Sequence, residues 1–286
     1  MAQVIATNSL SSLVQNNLNK SQKALNQSIE RLSSGRRINS AKDDAAGLSI
    51  ANRMTSQVNG LKQANRNAND GLSMMQTAES ALGTVTDNIQ RIRDLVVQAK
   101  NGTYSDENRQ SINNEIDTRI SEIARISGDT SFNQKTLLGS SSDTQSVNIQ
   151  IGAFDGQTLS LKLMDVSTIS KALKGGDGTD LASSGNALID ADGKLKDNAL
   201  TLIDTQLKAV DRTRSSLGAQ QNSLESIINS NATSATNLSA ARSQIVDADY
   251  AAEVSAMSTA QIQLEMGQKV LAQANSSQQN VLSLLK

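Results

Sequence analysis

Apolar residues recur along this chain with a period close to 3.5 over two long stretches. Alternating steps of four and three from Met54 visit Val58, Leu61, Asn65, Ala68, Leu72, Met75, Glu79, Leu82, Thr86, Ile89, Arg93 and Val96. Nine of those thirteen positions are apolar. The same walk from Ile203 through Val210, Leu217, Leu224 and Leu238 to Ile245 again finds nine in thirteen. A stripe that holds 3-4 register for about six heptads is the seam of a coiled coil. At 1.5 Å of rise per residue, each helix would extend for about 70 Å. Polar entries in the seams (Asn65, Glu79, Arg214, Asn231) cost stability but help to fix register.

Shorter helical stripes flank these two. Val14, Leu18, Leu25, Ile29 and Leu32 mark one near the start, with Gly35 as its stop. Ile262, Met266, Val270, Ala274, Val281, Leu282 and Leu285 mark another near the end. Ser105-Asp106-Glu107 opens a third helix, where acidic residues suit the positive end of the macrodipole. Ile112, Ile116, Ile120 and Ile123 share its face and Gly128 closes it. Between the halves the period drops to two: Val147, Ile149, Ile151, then Leu159, Leu161, Leu163, around Asp155-Gly156. That predicts a β-hairpin near 146–164. The Gly-, Asp- and Ser-rich stretch 170–196 reads as a short central loop. The pattern as a whole predicts a mainly α chain. It is a long antiparallel α-helical coiled-coil rod with a small β-hairpin, and its N- and C-termini pair at one end.

Composition narrows the chemistry. The 286 residues include no Cys, His, Pro or Trp, and only two Tyr and two Phe. No thiol nucleophile, His-dependent triad, disulfide or ordinary zinc site can be built from them, and no cofactor is implied. The absence of Pro leaves long helices uninterrupted. Large aromatics normally fill a broad core, so their scarcity predicts thin seams and no thick core. A net charge of −1 does not make the basic surface that nucleic acid requires. Nothing approaches the roughly 18 apolar residues of a membrane span, and the first residues do not read as a cleaved secretory leader.

Candidate motifs resolve into ordinary structure. Asp43-Asp44 reads as a charged helix start and not an acid–base pair, since neighbouring helical residues point about 100° apart. Asp190-Ala-Asp192-Gly193 lacks the Gly and Glu positions of a calcium loop. The apolar stripes of the terminal helices are more informative, because little else in the chain can cover them. An uncovered apolar stripe marks an interaction site, and a non-closing contact between copies grows into a filament. Val14, Leu18, Leu25, Leu32, Ile262, Met266, Val270, Val281, Leu282 and Leu285 are therefore candidate self-assembly residues.

The opening MAQVIATNSLSSLVQNNLNKSQKALNQSIERLSSGRRINSAKDDAAGLSIANRM and the ending IVDADYAAEVSAMSTAQIQLEMGQKVLAQANSSQQNVLSLLK resemble the two terminal regions of bacterial flagellin. The likeness covers about 1–165 and 197–286. It implies an extracellular structural protein that polymerises into the flagellar filament, exported without leader cleavage by the flagellar secretion route. The implied partners are further copies of the chain, an export chaperone and the export apparatus, cap and hook-junction proteins, and host flagellin receptors. The resemblance also implies an inner domain from 1–43 with 245–286 and a rod domain from 44–244. The segment Glu30 to Ala51 is similar to the epitope detected by plant immune receptors. Gln90, Arg91, Leu95 and Glu115 match the pattern recognised by the vertebrate flagellin-sensing Toll-like receptor. The central stretch is too short for an outer domain, which predicts a smooth, thin filament. A hook–filament junction protein is the nearest alternative, and an intracellular coiled-coil scaffold is the alternative that needs no export.

Overall fold

A computed structural model describes residues 8–139, 146–174, 188 and 196–283, with side chains as far as 277. Helix α1 spans Ser9–Ser34, α2 Ala45–Ala99 and α3 Asp106–Asp129. The hairpin strands β1 (Ser131–Phe132) and β2 (Lys135–Thr136) follow, then β3 (Ser146–Gln150) and β4 (Thr158–Lys162). Helices α4 (Ser167–Lys174), α5 (Ala199–Val246) and α6 (Tyr250–Ser283) complete the order. The chain forms two compact units, Met1–Val58 with Thr236–Lys286 and Asn59–Ala235. The sequence-based division at 43/44 and 244/245 follows helix ends, whereas the compact units part inside α2 and α5.

In the smaller unit, α1 and α6 pack antiparallel. Asn8 Nδ2 donates to Ala274 O at 3.3 Å, Ser21 Oγ to Gln263 Oε1 at 3.4 Å, and Arg31 faces Glu253 at 3.7 Å. The start of the first helix thus lies beside the far end of the last. On α1 the inward positions are Ser11, Val14, Leu18, Ser21, Leu25, Ser28 and Leu32, an unbroken heptad row. On α6 they are Met257, Ala260, Leu264, Gly267, Leu271 and Ala274. Small residues let the backbones approach closely: a Cβ on Gly267 would stand 2.8 Å from Leu18 Cδ2. Asn8 caps α1 through its side chain, and Gly35 ends it at φ 68°, a left-handed stop that suits glycine. The two helix junctions are tied together. Arg37 N donates to Val246 O at 2.6 Å, Arg37 Nη2 to Ile245 O at 2.7 Å, and Ala248 N to Gly35 O at 3.1 Å.

In the larger unit the predicted seams face inward. Every seam position from Leu61 to Val96 on α2 and from Ile203 to Ala235 on α5 is buried or half-buried. Two polar positions meet across them, Gln221 Nε2 donating to Glu79 Oε2 at 2.8 Å. Arg93 Nε donates to Asp204 Oδ1 at 2.8 Å, and that bond holds the guanidinium above its usual pKa.

This unit also corrects the expectation of thin seams alone. Helix α2 buries Met74, Ala78, Val85, Ile92 and Leu95 besides its seam, and Ile116, Ile120 and Ile123 of α3 and Ile169 of α4 pack with them. A thick core therefore forms with little aromatic contribution, Phe132 packing half-buried against it. β-Branched and Leu side chains on several elements supply the apolar area that aromatics usually bring.

The predicted hairpin is present. Val147 pairs with Leu161 and Ile149 with Leu159, while Gly156 turns the chain at φ 79°. Two features depart from the sequence reading. Residues 167–174, partly within the expected loop, form α4, whose Ile169 and Leu173 are fully buried; the rest of that loop apart from Leu188 and Lys196 lies outside the described residues. A second, minimal hairpin joins β1 and β2 through Asn133 and Gln134 at φ 47° and 66°. A two-residue turn with both φ positive matches the right-handed twist of the flanking strands.

Candidate functional site

The terminal helices keep a second apolar stripe after their own seam is closed. Ile262, Met266 and Val270 lie one helical turn apart on α6 and are 61%, 54% and 45% exposed. Leu10, Leu13 and Ile29 of α1 are exposed as well. The candidate assembly residues therefore divide. Val14, Leu18, Leu25 and Leu32 occupy the intramolecular seam, while Ile262, Met266 and Val270 face outward. Val281 and Leu282 belong to the described backbone of α6 but not to its described side chains, and Leu285 lies outside the described residues. Leu10 and Leu13 escaped the sequence reading because they fall one position off the heptad row.

The segment Glu30–Ala51 takes in the end of α1, the connection 35–44 and the start of α2, and the connection is a fixed turn. Asp43 Oδ2 accepts from Ser40 N at 3.0 Å, Ser40 Oγ at 3.0 Å and Asn39 N at 3.2 Å. The Ser40 N–H, then its hydroxyl, then the Asn39 N–H hold this carboxyl below the usual carboxylate range. Asp44 Oδ1 accepts from Gly47 N at 2.9 Å and caps α2. The two carboxylates thus each serve the backbone. Since the folded-state pKa of Asp43 is depressed, its contribution is complete above its unfolded value of about 3.9. It is lost as pH falls through the folded value. Protection of the Asn39 and Ser40 amides, measured against their intrinsic exchange at each pH, is expected to fall below about pH 4, and Asp43→Asn should remove that pH dependence.

On the larger unit, α2 and α3 bring Arg91 and Glu115 together. Arg91 Nε donates to Glu115 Oε1 at 3.0 Å, and Nη2 stands 3.0 Å from the same oxygen. Arg119 approaches that carboxylate at 3.9 Å and donates to Asn88 Oδ1 at 3.4 Å. Gln90 is exposed beside them. Leu95 does not join this surface: it is 2% exposed and packs in the core. Gln90, Arg91 and Leu95 come from one stretch of α2, but a helix turns the residues from 90 to 95 through more than one full turn, so they face different ways.

Among the described residues no group of three or more acidic side chains could hold a metal. No helix there is long and apolar enough to cross a membrane.

The sequence pattern for the bacterial flagellin N-terminal helical region matches residues 5–143, and that for the C-terminal helical region matches 200–285. The chain belongs to the bacterial flagellin family. A flagellin from Serratia marcescens is 46% identical over 355 aligned positions covering all of both chains. One from Xenorhabdus nematophila is 46% identical over 315 positions, again covering all of both. Phase 1 flagellin of Salmonella naestved is 57% identical over 175 positions, which span 61% of this chain and 34% of that one. An alignment of 355 positions against 286 residues leaves the Serratia protein with residues that have no counterpart here. The chain is thus a short flagellin, a structural subunit of the extracellular flagellar filament that serves swimming motility and self-associates to form it.

Proposed function

We propose that polymerisation proceeds through the outward stripe of the terminal helix pair, and that this surface accounts for the mechanical role of the chain. The observation that carries the reading is the exposure of Ile262, Met266 and Val270 beside a seam that is already complete without them. In water each costs hydration free energy, and a neighbouring copy relieves it at about 25 cal/mol per Å² of apolar area covered. The seam residues Val14, Leu18, Leu25 and Leu32 hold the pair together so that it can present the stripe. Residues 1–43 with 245–286 form the inner, tube-lining domain of the subunit and 44–244 its rod domain. With so short a central segment, the filament surface is smooth. The chain performs no catalysis. It leaves the cell through the flagellar secretion route, attended by an export chaperone, and meets cap and hook-junction proteins at the filament ends. Seeded growth in a precipitating salt, followed by electron microscopy, tests the reading: tubes of uniform width support it, and a persistent monomer overturns it.

Host receptors recognise two of its surfaces, the Glu30–Ala51 segment and the patch formed by Gln90, Arg91 and Glu115. Leu95 contributes only by packing beneath that patch. The Arg91–Glu115 pair is exposed, so Arg91→Ala is expected to change stability by about 1 kcal/mol or less. Receptor binding by the soluble monomer should fall at least tenfold, because interface arginines often dominate a contact. Unchanged binding by a folded Arg91→Ala variant counts against the recognition surface and leaves polymerisation untouched.

A further inference from the structure

The two-stranded β3–β4 sheet has two open edges, and side-chain carboxamides engage both. On one side Asn67 Nδ2 of α2 donates to Gln150 O at 3.1 Å. Just past the end of β3, on the side that faces β4, Asn231 Nδ2 of α5 donates to Ile151 O at 2.7 Å. Consecutive carbonyls of an extended chain point to opposite sides, so α2 takes the outward carbonyl of Gln150 and α5 the Ile151 carbonyl on the side of β4. At the far end of β4, Gln220 of α5 treats Lys162 as a neighbouring strand would. Its Oε1 accepts from Lys162 N at 2.9 Å and its Nε2 reaches Lys162 O at 3.5 Å.

The orientation of the Asn67 amide is fixed from both ends. A guanidinium only donates, so Arg66, whose Nε stands 3.1 Å from Gln63 Oε1, sets the Gln63 amide. Gln63 Nε2 then donates to Asn67 Oδ1 at 2.8 Å, leaving the Asn67 amino group for a carbonyl that only accepts. Such a chain polarises each bond along it.

The spacing matches as well. Gln220 and Asn231 are eleven residues apart, three turns on one face of α5 and about 16 Å of helix. Ile151 N donates to Gln157 O, so the Asn231 contact sits level with Gln157, five strand residues from Lys162, or about 17 Å. On α2 the contacts also span three turns. A Cβ on Gly60 would stand 2.8 Å from that of Ala153, and one on Gly71 3.3 Å from Ile149 Cδ1. The apolar seams lack this selectivity, because a slip of one turn moves each apolar row onto the next and still sets apolar against apolar.

We propose that the hairpin is a gauge that fixes the axial offset of α2 against α5, and that Asn67, Gln220 and Asn231 are its positioning residues. The Glu79–Gln221 and Arg93–Asp204 pairs join long side chains that can follow a slip. The carboxamides grip backbone, which cannot. Because the chain contains no cysteine, Asp70→Cys with Lys208→Cys gives two exposed spin-label sites on α2 and α5, well separated along the axis. In the parent background the label–label distance should be single and narrow. Adding Gln220→Ala and Asn231→Ala should shift it, or add a second population, by about one helical turn, ~5 Å. Asn231→Asp, which keeps the shape but turns the donor into an acceptor, should behave as Asn231→Ala does. Superimposable distances in the parent and the double variant, or a parent-like distance for Asn231→Asp, overturn the proposal. Both measurements use the monomer, so they stand apart from the assembly reading.

Discussion

Met266→Asp is expected to abolish polymerisation while leaving the melting temperature of the isolated chain unchanged. Met266 is more than half exposed in that chain, so a carboxylate there stays hydrated and perturbs nothing. Once a neighbouring copy covers the stripe, the same carboxylate is stripped of water with no partner, a penalty of several kcal/mol. Each 1.4 kcal/mol is a factor of ten in the association constant, and even 3 kcal/mol raises the critical concentration more than ~100-fold. Sedimentation of seeded polymer across a concentration series reads this directly. Leu264→Asp is the informative contrast. Its side chain belongs to the α1–α6 seam, so that variant should lose helicity in the free chain as well. Growth of Met266→Asp at the parent critical concentration would remove the stripe from the assembly contact.

Ile120→Ala carries the second large effect, and it falls on the other unit. Ile120 is fully buried in the core cluster, between the α3 positions Ile116 and Ile123. Large-to-small changes at such sites cost about 2–5 kcal/mol, the spread reflecting how far the surroundings collapse into the cavity. For a unit of this size that corresponds to a fall in melting temperature on the order of 10 °C, measurable by circular dichroism. A shift of a degree or two would mean that α3 merely lies on α2 instead of completing its core. The two variants separate the roles of the units: Met266→Asp strikes association and spares stability, and Ile120→Ala does the reverse.

The long seams were legible in the sequence because large apolar residues at 3-4 spacing leave one solution for a helix of that length. The β3–β4 hairpin was legible for a similar reason, its period-two alternation ending on a Gly that turns. Other elements give weaker signals. The α6 seam runs through Ala260, Gly267 and Ala274, small residues that count for little as hydrophobic pattern. The large residues Ile262, Met266 and Val270 draw the eye to a face that the chain itself leaves open. Strands β1 and β2 are two residues each, too short to alternate. Helix α4 begins among hydroxyl residues and is held by burying Ile169 and Leu173, a tertiary effect with no local signature. Leu95 shows the limit of reading a motif as a surface, since five residues of helix sample both the core and the solvent. The carboxamide contacts at Asn67 and Gln220 were least visible, because Asn and Gln are common throughout the chain and only the backbone they meet distinguishes them; Asn231 stood out only as a polar entry in the seam.

The closure of Asn8 on Ala274 joins residues 266 apart in sequence, whereas Arg91 and Glu115 are 24 apart. The entropy of bringing chain segments together grows with the length of the loop between them, and distant contacts slow folding. The pairing of α1 with α6 is therefore the last step available to a free chain, taken after the larger unit has shortened the effective loop. It is also the first to come undone, since its seam alternates large residues with Ser, Ala and Gly and offers limited apolar area to offset the ordering of two helices. The order of events that builds the subunit thus leaves its two ends, the parts proposed above to meet the next copy, as the region most easily opened.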